Sequence, residues 1–264
     1  MLGKFIRQEI RAQGKVMLLI LGAMAAADMF MVIFMLLAGH VRGRFFESIY
    51  AAGCAICVLT IAVSAVIVFV YLCYRFHQSM YSQQGYLTHT LPLKTTQILH
   101  VKILVSSVSL LAIAGFSLVS VFGIGILNGG LSMSQVPALF TEAFRDIDEE
   151  LGISAPELVL GVMLLAVAGC VSSLLIFFAG SSIGQLFHRA KGAWGIAAGI
   201  VLAYVSEIVT VLLLVWIFFS FGARLNDMVM PWWVMGGITL ILFLWSAVYY
   251  LICRMIVLRH LNLD

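Results

Sequence analysis

Residues 16–37 read VMLLILGAMAAADMFMVIFMLL, and this stretch decides the fold class. As a helix it is long enough to cross a membrane, since about 20 apolar residues span the hydrocarbon core. Its only charged side chain is Asp28. A secretory signal peptide has a shorter apolar core, of about 7–15 residues, followed by a cleavage site of small residues. We therefore predict a permanent transmembrane helix here.

Five further apolar stretches follow the first one along the chain. Of the 264 residues, 63% are hydrophobic and 10% are charged, whereas a soluble domain has about 25% charged residues. This surplus of apolar surface needs lipid as its solvent. Six transmembrane helices are predicted, at about residues 16–39, 49–74, 103–127, 157–183, 193–221 and 232–257. Because the polar gaps are too short for a soluble domain, we predict an all-α membrane protein with one transmembrane domain over residues 1–264.

The distribution of lysine and arginine predicts the orientation. Basic residues close to span ends are enriched on the cytoplasmic side of a membrane. With the N-terminus inside, eleven basic residues fall in inner segments and four (Arg42, Arg44, Arg145 and Arg224) in outer loops. We therefore expect a multi-pass protein with both termini in the cytoplasm. This bias also accounts for the net charge of +3, and no nucleic-acid partner is needed to explain it.

Residues 1–14 have two chemically different sides when they are drawn as a helix. One side holds Lys4, Arg7, Arg11 and Lys15, and the other holds Leu2, Phe5, Ile6 and Ile10. This separation predicts an amphipathic helix along the inner interface, with its cations near lipid phosphates. The alternative is a basic extension of the first span. Glu9 falls on the apolar side, which predicts a protein partner for it.

The predicted outer loop, residues 128–156, has a helical pattern of its own. The NGG sequence at 128–130 ends the third span, and Pro137 suits the first turn of a new helix. The acidic residues of this helix are Glu142, Asp146, Asp148, Glu149 and Glu150. They make it either a platform for a cationic substrate or partner, or a solvated helix face. Ser154 and Glu157 have the spacing of a capping box that opens the fourth span.

Motifs for catalysis in the chain itself are missing from the sequence. There is no GxxxxGK[ST] phosphate-binding loop and no HExxH zinc motif. The five cysteines lie in spans or at span ends, where they are expected to be small buried hydrophobic residues: Cys54, Cys57, Cys73, Cys170 and Cys253. We predict neither catalytic residues nor a metal or cofactor site in this chain.

Two acidic residues lie deep within predicted spans, Asp28 in the first and Glu207 in the fifth. A charge at the centre of a bilayer costs about 2.5–3.5 kcal/mol on insertion scales, so both are expected to face protein or a water-filled cavity. They are candidates for a substrate path or gate, and the alternative for each is an interhelical hydrogen bond. Gly195 and Gly199, four residues apart, predict close helix packing in the fifth span.

Residues 74–104 read YRFHQSMYSQQGYLTHTLPLKTTQILHVKIL and contain the polar segment 75–102 between the second and third spans. This sequence resembles the permease subunits of bacterial ABC type-2 exporters. The matching residues are Gly85, Tyr86, Leu87, Thr88, Thr90, Leu91, Pro92 and Lys102. One departure is that Gln83 and Gln84 stand where the family often has acidic residues. In such permeases the segment forms a coupling helix that docks into a separate ATPase subunit.

The resemblance implies a membrane subunit of an ATP-driven translocase in a bacterial cell membrane. ATP and Mg would bind to the partner ATPase, and a second permease, identical or related, would complete the transporter. The implied ATPase-coupling residues are Gly85, Tyr86, Leu87, Leu91, Pro92, Leu93 and Lys94. Pro92 fixes its own backbone and restricts that of Leu91, which suits an element that transmits motion.

Two other classes of function are compatible with the sequence. The first is an ion-coupled secondary transporter that uses Asp28 and Glu207, for which inverted repeats would be expected. The second is a membrane scaffold or sensor subunit that transports nothing. An ATPase encoded beside this chain would favour the exporter.

Overall fold

The computed structural model describes residues 2–38, 44–82, 85, 93–128, 134–151, 154–187, 189–221 and 230–259. In these ranges the chain forms seven helices and no strand. The helices are α1 (Leu2–Ala38), α2 (Arg44–Tyr81), α3 (Thr95–Asn128), α4 (Val136–Leu151), α5 (Ala155–Gly184), α6 (Lys191–Phe221) and α7 (Met230–Arg259). All of them except α4 are long and apolar enough to cross a membrane. The predicted all-α membrane fold with six spans is confirmed.

The first two helices are longer than a membrane crossing requires. α1 has 37 residues and α2 has 38, which corresponds to about 55 Å at 1.5 Å per residue. The hydrocarbon core is only about 30 Å thick. Each of these helices therefore continues well beyond the apolar layer at one or both of its ends.

The basic N-terminal segment is joined to the first span without a break. The structure makes residues 2–14 the first turns of α1, whereas the sequence predicts a separate helix along the interface. An uninterrupted helix keeps its backbone hydrogen bonds within itself, while a break would leave several N–H and C=O groups to be satisfied otherwise. The predicted apolar side is buried in part, because Phe5 and Glu9 are buried together with Gln13 while Leu2 and Ile10 are exposed.

Contacts between residues divide the described structure into two compact units, and α2 and α3 contribute to both. The first unit comprises Met1–Leu72 and Val108–Val136. In it α1 and α2 run antiparallel. Tyr71 Oη donates a hydrogen bond to the carbonyl of Ala12 (3.5 Å), and Cys57 Sγ donates one to the carbonyl of Ala27 (3.6 Å).

In the same unit α1 and α3 run parallel. Ser109 Oγ donates to Gln13 Oε1 over 3.1 Å. Further along both helices, Ser120 Oγ donates to Asp28 Oδ2 over 2.5 Å. Polar side chains that would be costly in hydrocarbon therefore pair between these helices.

The second unit comprises Cys73–Ser107 and Pro137–Asp264. Its core is formed by Leu175, Ala179 and Tyr249, so α5 packs against α7. α5 also packs on α6 through glycines that bring the backbones together. A Cβ atom on Gly180 would lie 2.5 Å from the backbone nitrogen of Gly199, and one on Gly184 would lie 2.6 Å from Cα of Gly195. The close packing predicted for these two α6 glycines is confirmed.

The predicted outer helix is present as α4. Its exposed Arg145 pairs with Glu149 (3.6 Å) and lies 3.9 Å from Asp146. Exposed pairs of this kind contribute little to stability, so α4 has the character of a solvated helix. The predicted cap of α5 is present as well, because the N–H and Oγ of Ser154 both donate to Glu157 Oε2, over 3.2 and 2.7 Å.

Candidate functional site

The polar segment predicted to couple to an ATPase connects α2 and α3. Gly85 is buried, and its N–H donates to the carbonyl of Ser82 over 2.7 Å. Leu93 is half-buried and Lys94 is exposed. The other four predicted coupling residues, Tyr86, Leu87, Leu91 and Pro92, lie outside the described residues. The geometry of the site is therefore given by the helix ends that flank the segment.

The start of α3 is capped directly after the segment. The carbonyl of Lys94 accepts hydrogen bonds from the N–H groups of Gln97 (2.8 Å) and Ile98 (3.2 Å). In return, the N–H of Lys94 donates to Gln97 Oε1 over 3.3 Å. This is the side-chain-to-backbone half of a capping box, with glutamine at the third helical position. The segment therefore ends on a helix whose first turn is well defined.

A buried polar cluster ties the end of α2 to α5 and α7. Tyr81 Oη lies 2.6 Å from Ser182 Oγ, which in turn lies 3.2 Å from Cys253 Sγ. Ser182 Oγ also donates to the carbonyl of Phe178 over 2.8 Å. A hydroxyl has one proton to give, so Ser182 accepts from both Tyr81 and Cys253. All three cluster side chains are buried, and those of Ser182 and Cys253 are 0% exposed.

Aromatic packing and a second polar contact reinforce the joint between α2 and α5. The rings of Phe76 and Phe178 are stacked, with centroids 3.8 Å apart and planes at 6°. Both side chains are buried. Beside them, Gln185 Nε2 and His77 Nδ1 lie 3.5 Å apart. The last turns of α2 are therefore held against the last turns of α5 by burial as well as by hydrogen bonds.

The start of α3 is tied to its neighbours in a similar way. Lys102 Nζ donates to Ser79 Oγ over 2.8 Å, and both side chains are buried. His100 Nε2 lies 2.8 Å from Tyr250 Oη, and the two rings are stacked. Lys102 is one of the residues that match the permease pattern, and the structure places it between the two helices that flank the segment.

These contacts join the flanks of the polar segment to other helices of the second unit. The described residues contain no group of three or more histidine, cysteine or acidic side chains placed to hold a metal ion. What they contain is a continuous connection from both ends of the polar segment to α5 and α7. A displacement of the segment would therefore be passed to these helices, because packed interiors deform little.

Sequence reasoning missed the residues that form this connection. Tyr81 and Ser182 are 101 positions apart, and Ser182 and Cys253 are 71 apart. Serine and cysteine inside an apolar helix are common, and nothing in their local pattern indicates a shared site. The one local signal is Lys102, a charge at the edge of an apolar run, which needs a polar neighbour when it is buried.

The deep acid of the first span makes an interhelical hydrogen bond. Asp28 is half-buried and accepts from Ser120 of α3. This contact favours the structural interpretation of Asp28 over a role in a substrate path.

The deep acid of the fifth span is placed differently. Glu207 lies near the middle of α6 and is exposed, as are Tyr204 and Ile208 beside it. Thr210, one turn further along α6, accepts a hydrogen bond from Trp245 Nε1 over 3.1 Å. The expected cover of Glu207 by protein is absent from the part of the chain that the structure describes. A carboxylate facing lipid at this depth is costly, so this side of α6 needs a polar or protein environment from elsewhere.

The buried cluster leads to a prediction for Ser182. We expect Ser182→Ala to destabilise the protein by about 1–3 kcal/mol, because Tyr81 Oη then stays buried without an acceptor. Adding Tyr81→Phe to this variant removes the unpaired hydroxyl, so the double variant is expected to regain part of the lost stability. Thermal unfolding of the detergent-purified variants measures both effects. Additive losses in the double variant would show that the two side chains are not coupled.

Asp28 gives a second prediction. Asp28→Asn keeps an oxygen that accepts from Ser120, so stability and transport are expected to remain close to those of the parent. Asp28→Leu leaves the buried Ser120 hydroxyl without this acceptor and is expected to cost about 1–3 kcal/mol. The measurements are thermal unfolding and transport in reconstituted vesicles. Loss of transport in a stable Asp28→Asn variant would instead assign Asp28 to the substrate path.

No protein-family model, curated protein or solved structure matches this chain. The similarity to exporter permeases therefore depends on the residues of the polar segment alone.

Proposed function

We propose that this chain is the transmembrane permease subunit of an ATP-binding cassette exporter in a bacterial cell membrane, with both termini in the cytoplasm. The observation that carries the proposal is the Tyr81–Ser182–Cys253 cluster. It joins the helix end that precedes the permease-like sequence to two helices of the predicted membrane domain. A transporter driven by a separate subunit needs such a stiff contact between the docking element and the spans.

In this proposal a separate ATPase subunit binds ATP and Mg and docks on the segment from Gly85 to Lys94. Closure of the ATPase moves the segment, and the ends of α2 and α3 move with it. The hydrogen bond between His100 and Tyr250 then passes this movement to α7. The cluster at Ser182 passes it to α5. The chain itself supplies no catalytic group, and the complex as a whole is the translocase.

The exposed carboxylate of Glu207 supports a further component of the complex. A second permease, identical or related, is proposed to cover this side of α6 or to enclose a water-filled path there. Either arrangement would provide the polar environment that a carboxylate requires at this depth. It also agrees with the large apolar area that α6 leaves uncovered, which includes Val211 and Trp216.

The test is co-purification with an ABC ATPase, which we expect to be encoded beside this chain. We expect the two proteins to form a complex that hydrolyses ATP, and we expect the purified chain alone to hydrolyse none. The control is the same ATPase with the lysine of its Walker A phosphate-binding loop replaced. This variant should bind the permease but should not hydrolyse ATP. Hydrolysis by the chain alone, or the absence of any complex with the ATPase, would contradict the proposal.

A further inference from the structure

The first turns of α1 form a basic groove that the transport proposal does not use. Four cations and two other residues line an open groove of about 670 Å³: Lys4, Arg7, Gln8, Arg11, Ala12 and Lys15. All four cationic side chains are exposed. Their spacing of three or four residues places them along one face of the helix.

The packing of α1 turns this basic face outwards. Phe5, Glu9 and Gln13 lie on the opposite face and are buried. Within the described residues, none of the four cations is paired with an acidic side chain. The groove is therefore a row of unneutralised positive charge held in place by a helix that is anchored on its other side.

Contacts within the first unit indicate the depth of the groove in the membrane. Gln13 binds Ser109, which lies six residues inside the apolar run of α3 that begins at Ile103, or about 9 Å along the helix axis. Ala12 binds Tyr71, four residues before Arg75 ends the apolar run of α2. The middle of the basic face thus lies at the edge of the hydrocarbon layer.

The direction of the side chains brings the four charges to one level. Side chains on a helix point towards its N-terminus, which here is the direction out of the apolar layer. Arg11 and Lys15 can therefore extend their stems along the apolar edge and place their charges among the headgroups. Arg7 and Lys4, about one and two turns before Arg11, start at headgroup level.

We propose that this groove is a binding site for the phosphate headgroup of an anionic phospholipid. Two arginines offer planar, bidentate donors that match phosphate oxygens, and the lysines add charge on both sides. Each basic residue near an anionic membrane surface contributes about fivefold in affinity. A zwitterionic headgroup has its own cation to neutralise its phosphate, so it binds more weakly. The proposal is independent of transport and of an ATPase partner.

The experiment titrates the detergent-purified full chain with dioleoylphosphatidylglycerol and dioleoylphosphatidylcholine, and native mass spectrometry counts the bound lipid. We expect phosphatidylglycerol to bind at least about tenfold more tightly. The variant Arg7→Gln/Arg11→Gln is expected to lose about 25-fold in affinity for phosphatidylglycerol. Binding should also weaken as salt rises from about 0.1 to 1 M, because the screening length falls from about 10 to 3 Å.

A matched control is Arg189→Gln/Arg254→Gln, which removes two exposed arginines elsewhere in the chain, one between α5 and α6 and one in α7. This control variant should bind phosphatidylglycerol as tightly as the parent. An equal loss of affinity in both variants would mean that binding depends only on the net charge of the protein. Equal binding of the two lipids overturns the proposal. Displacement of phosphatidylglycerol by an equal concentration of inorganic phosphate would identify free phosphate as the ligand instead. If the Arg7→Gln/Arg11→Gln variant loses a co-purifying ATPase while its lipid binding is unchanged, the groove binds an acidic protein surface instead.

Discussion

Replacing Gly180 and Gly184 by alanine is expected to prevent α5 from packing on α6. A Cβ atom at either position would lie 2.5–2.6 Å from backbone atoms of α6, nearer than any normal contact. Those atoms belong to Lys191, Gly195 and Gly199, and backbone cannot move aside as a flexible side chain does. Overpacking typically costs about 1–3 kcal/mol per site, occasionally more, so the double variant should lose about 3 kcal/mol or more.

The measurement is thermal unfolding of the detergent-purified protein with a thiol-reactive dye, which reports the exposure of the buried cysteines Cys57 and Cys253. Gly169→Ala is the matched control, because it lies on the same helix with open space around its Cα. Alanine favours a helix over glycine by about 1 kcal/mol, so this control should be neutral or slightly stabilising. A double variant as stable as this control would show that the two helices do not pack through these glycines.

Replacing Tyr86 and Leu91 by alanine is expected to weaken binding of the ATPase or to uncouple its hydrolysis from transport. These residues are, with Leu87, the predicted apolar anchors of an otherwise polar segment. Docking surfaces concentrate their energy in a few buried anchors, each worth about 2 kcal/mol or more when truncated, which is a factor of about 30 in affinity. Insertion into the membrane should be unchanged, since both residues lie between the second and third spans predicted from the sequence, at residues 49–74 and 103–127.

The measurements are the affinity of the ATPase for the permease and the ratio of transport to ATP hydrolysis. The control is a double change of Thr95 and Thr96 to alanine, at the start of α3, where a mild effect is expected. Because the control and the test variant lie within ten residues of each other, a general disturbance of the segment would affect both. Unchanged binding and coupling in the Tyr86/Leu91 variant would make the segment an ordinary loop.

The failures of these two experiments are distinguishable. The glycine variants test the packing of the membrane helices, whatever the protein transports. The Tyr86/Leu91 variant tests the ATPase partner and leaves that packing untouched. If the protein is stable but does not bind the ATPase, the fold stands and the exporter proposal is contradicted.

The number and type of the candidate membrane-spanning helices followed directly from the sequence. Hydropathy is a local sum, and a backbone in lipid must satisfy its own hydrogen bonds, so an apolar run such as residues 16–37 becomes a helix in any context. The same holds for the cap at Ser154 and Glu157, which depends on residues three positions apart. Close helix packing at Gly195 and Gly199 could also be predicted, because small residues four apart form a flat helix surface.

Only the tertiary structure decided which face of each helix is packed and which side chains meet. In lipid an apolar side chain is stable whether or not it touches protein, so the hydrophobic period that marks the core of a soluble helix is largely missing here. For this reason the sequence did not show which part of the apolar side of α1 packs against protein, and Asp28 and Glu207 appeared equivalent although one binds Ser120 and the other is exposed. The cluster of Tyr81, Ser182 and Cys253 joins three helices that are far apart in the chain, and no local pattern specifies such a meeting.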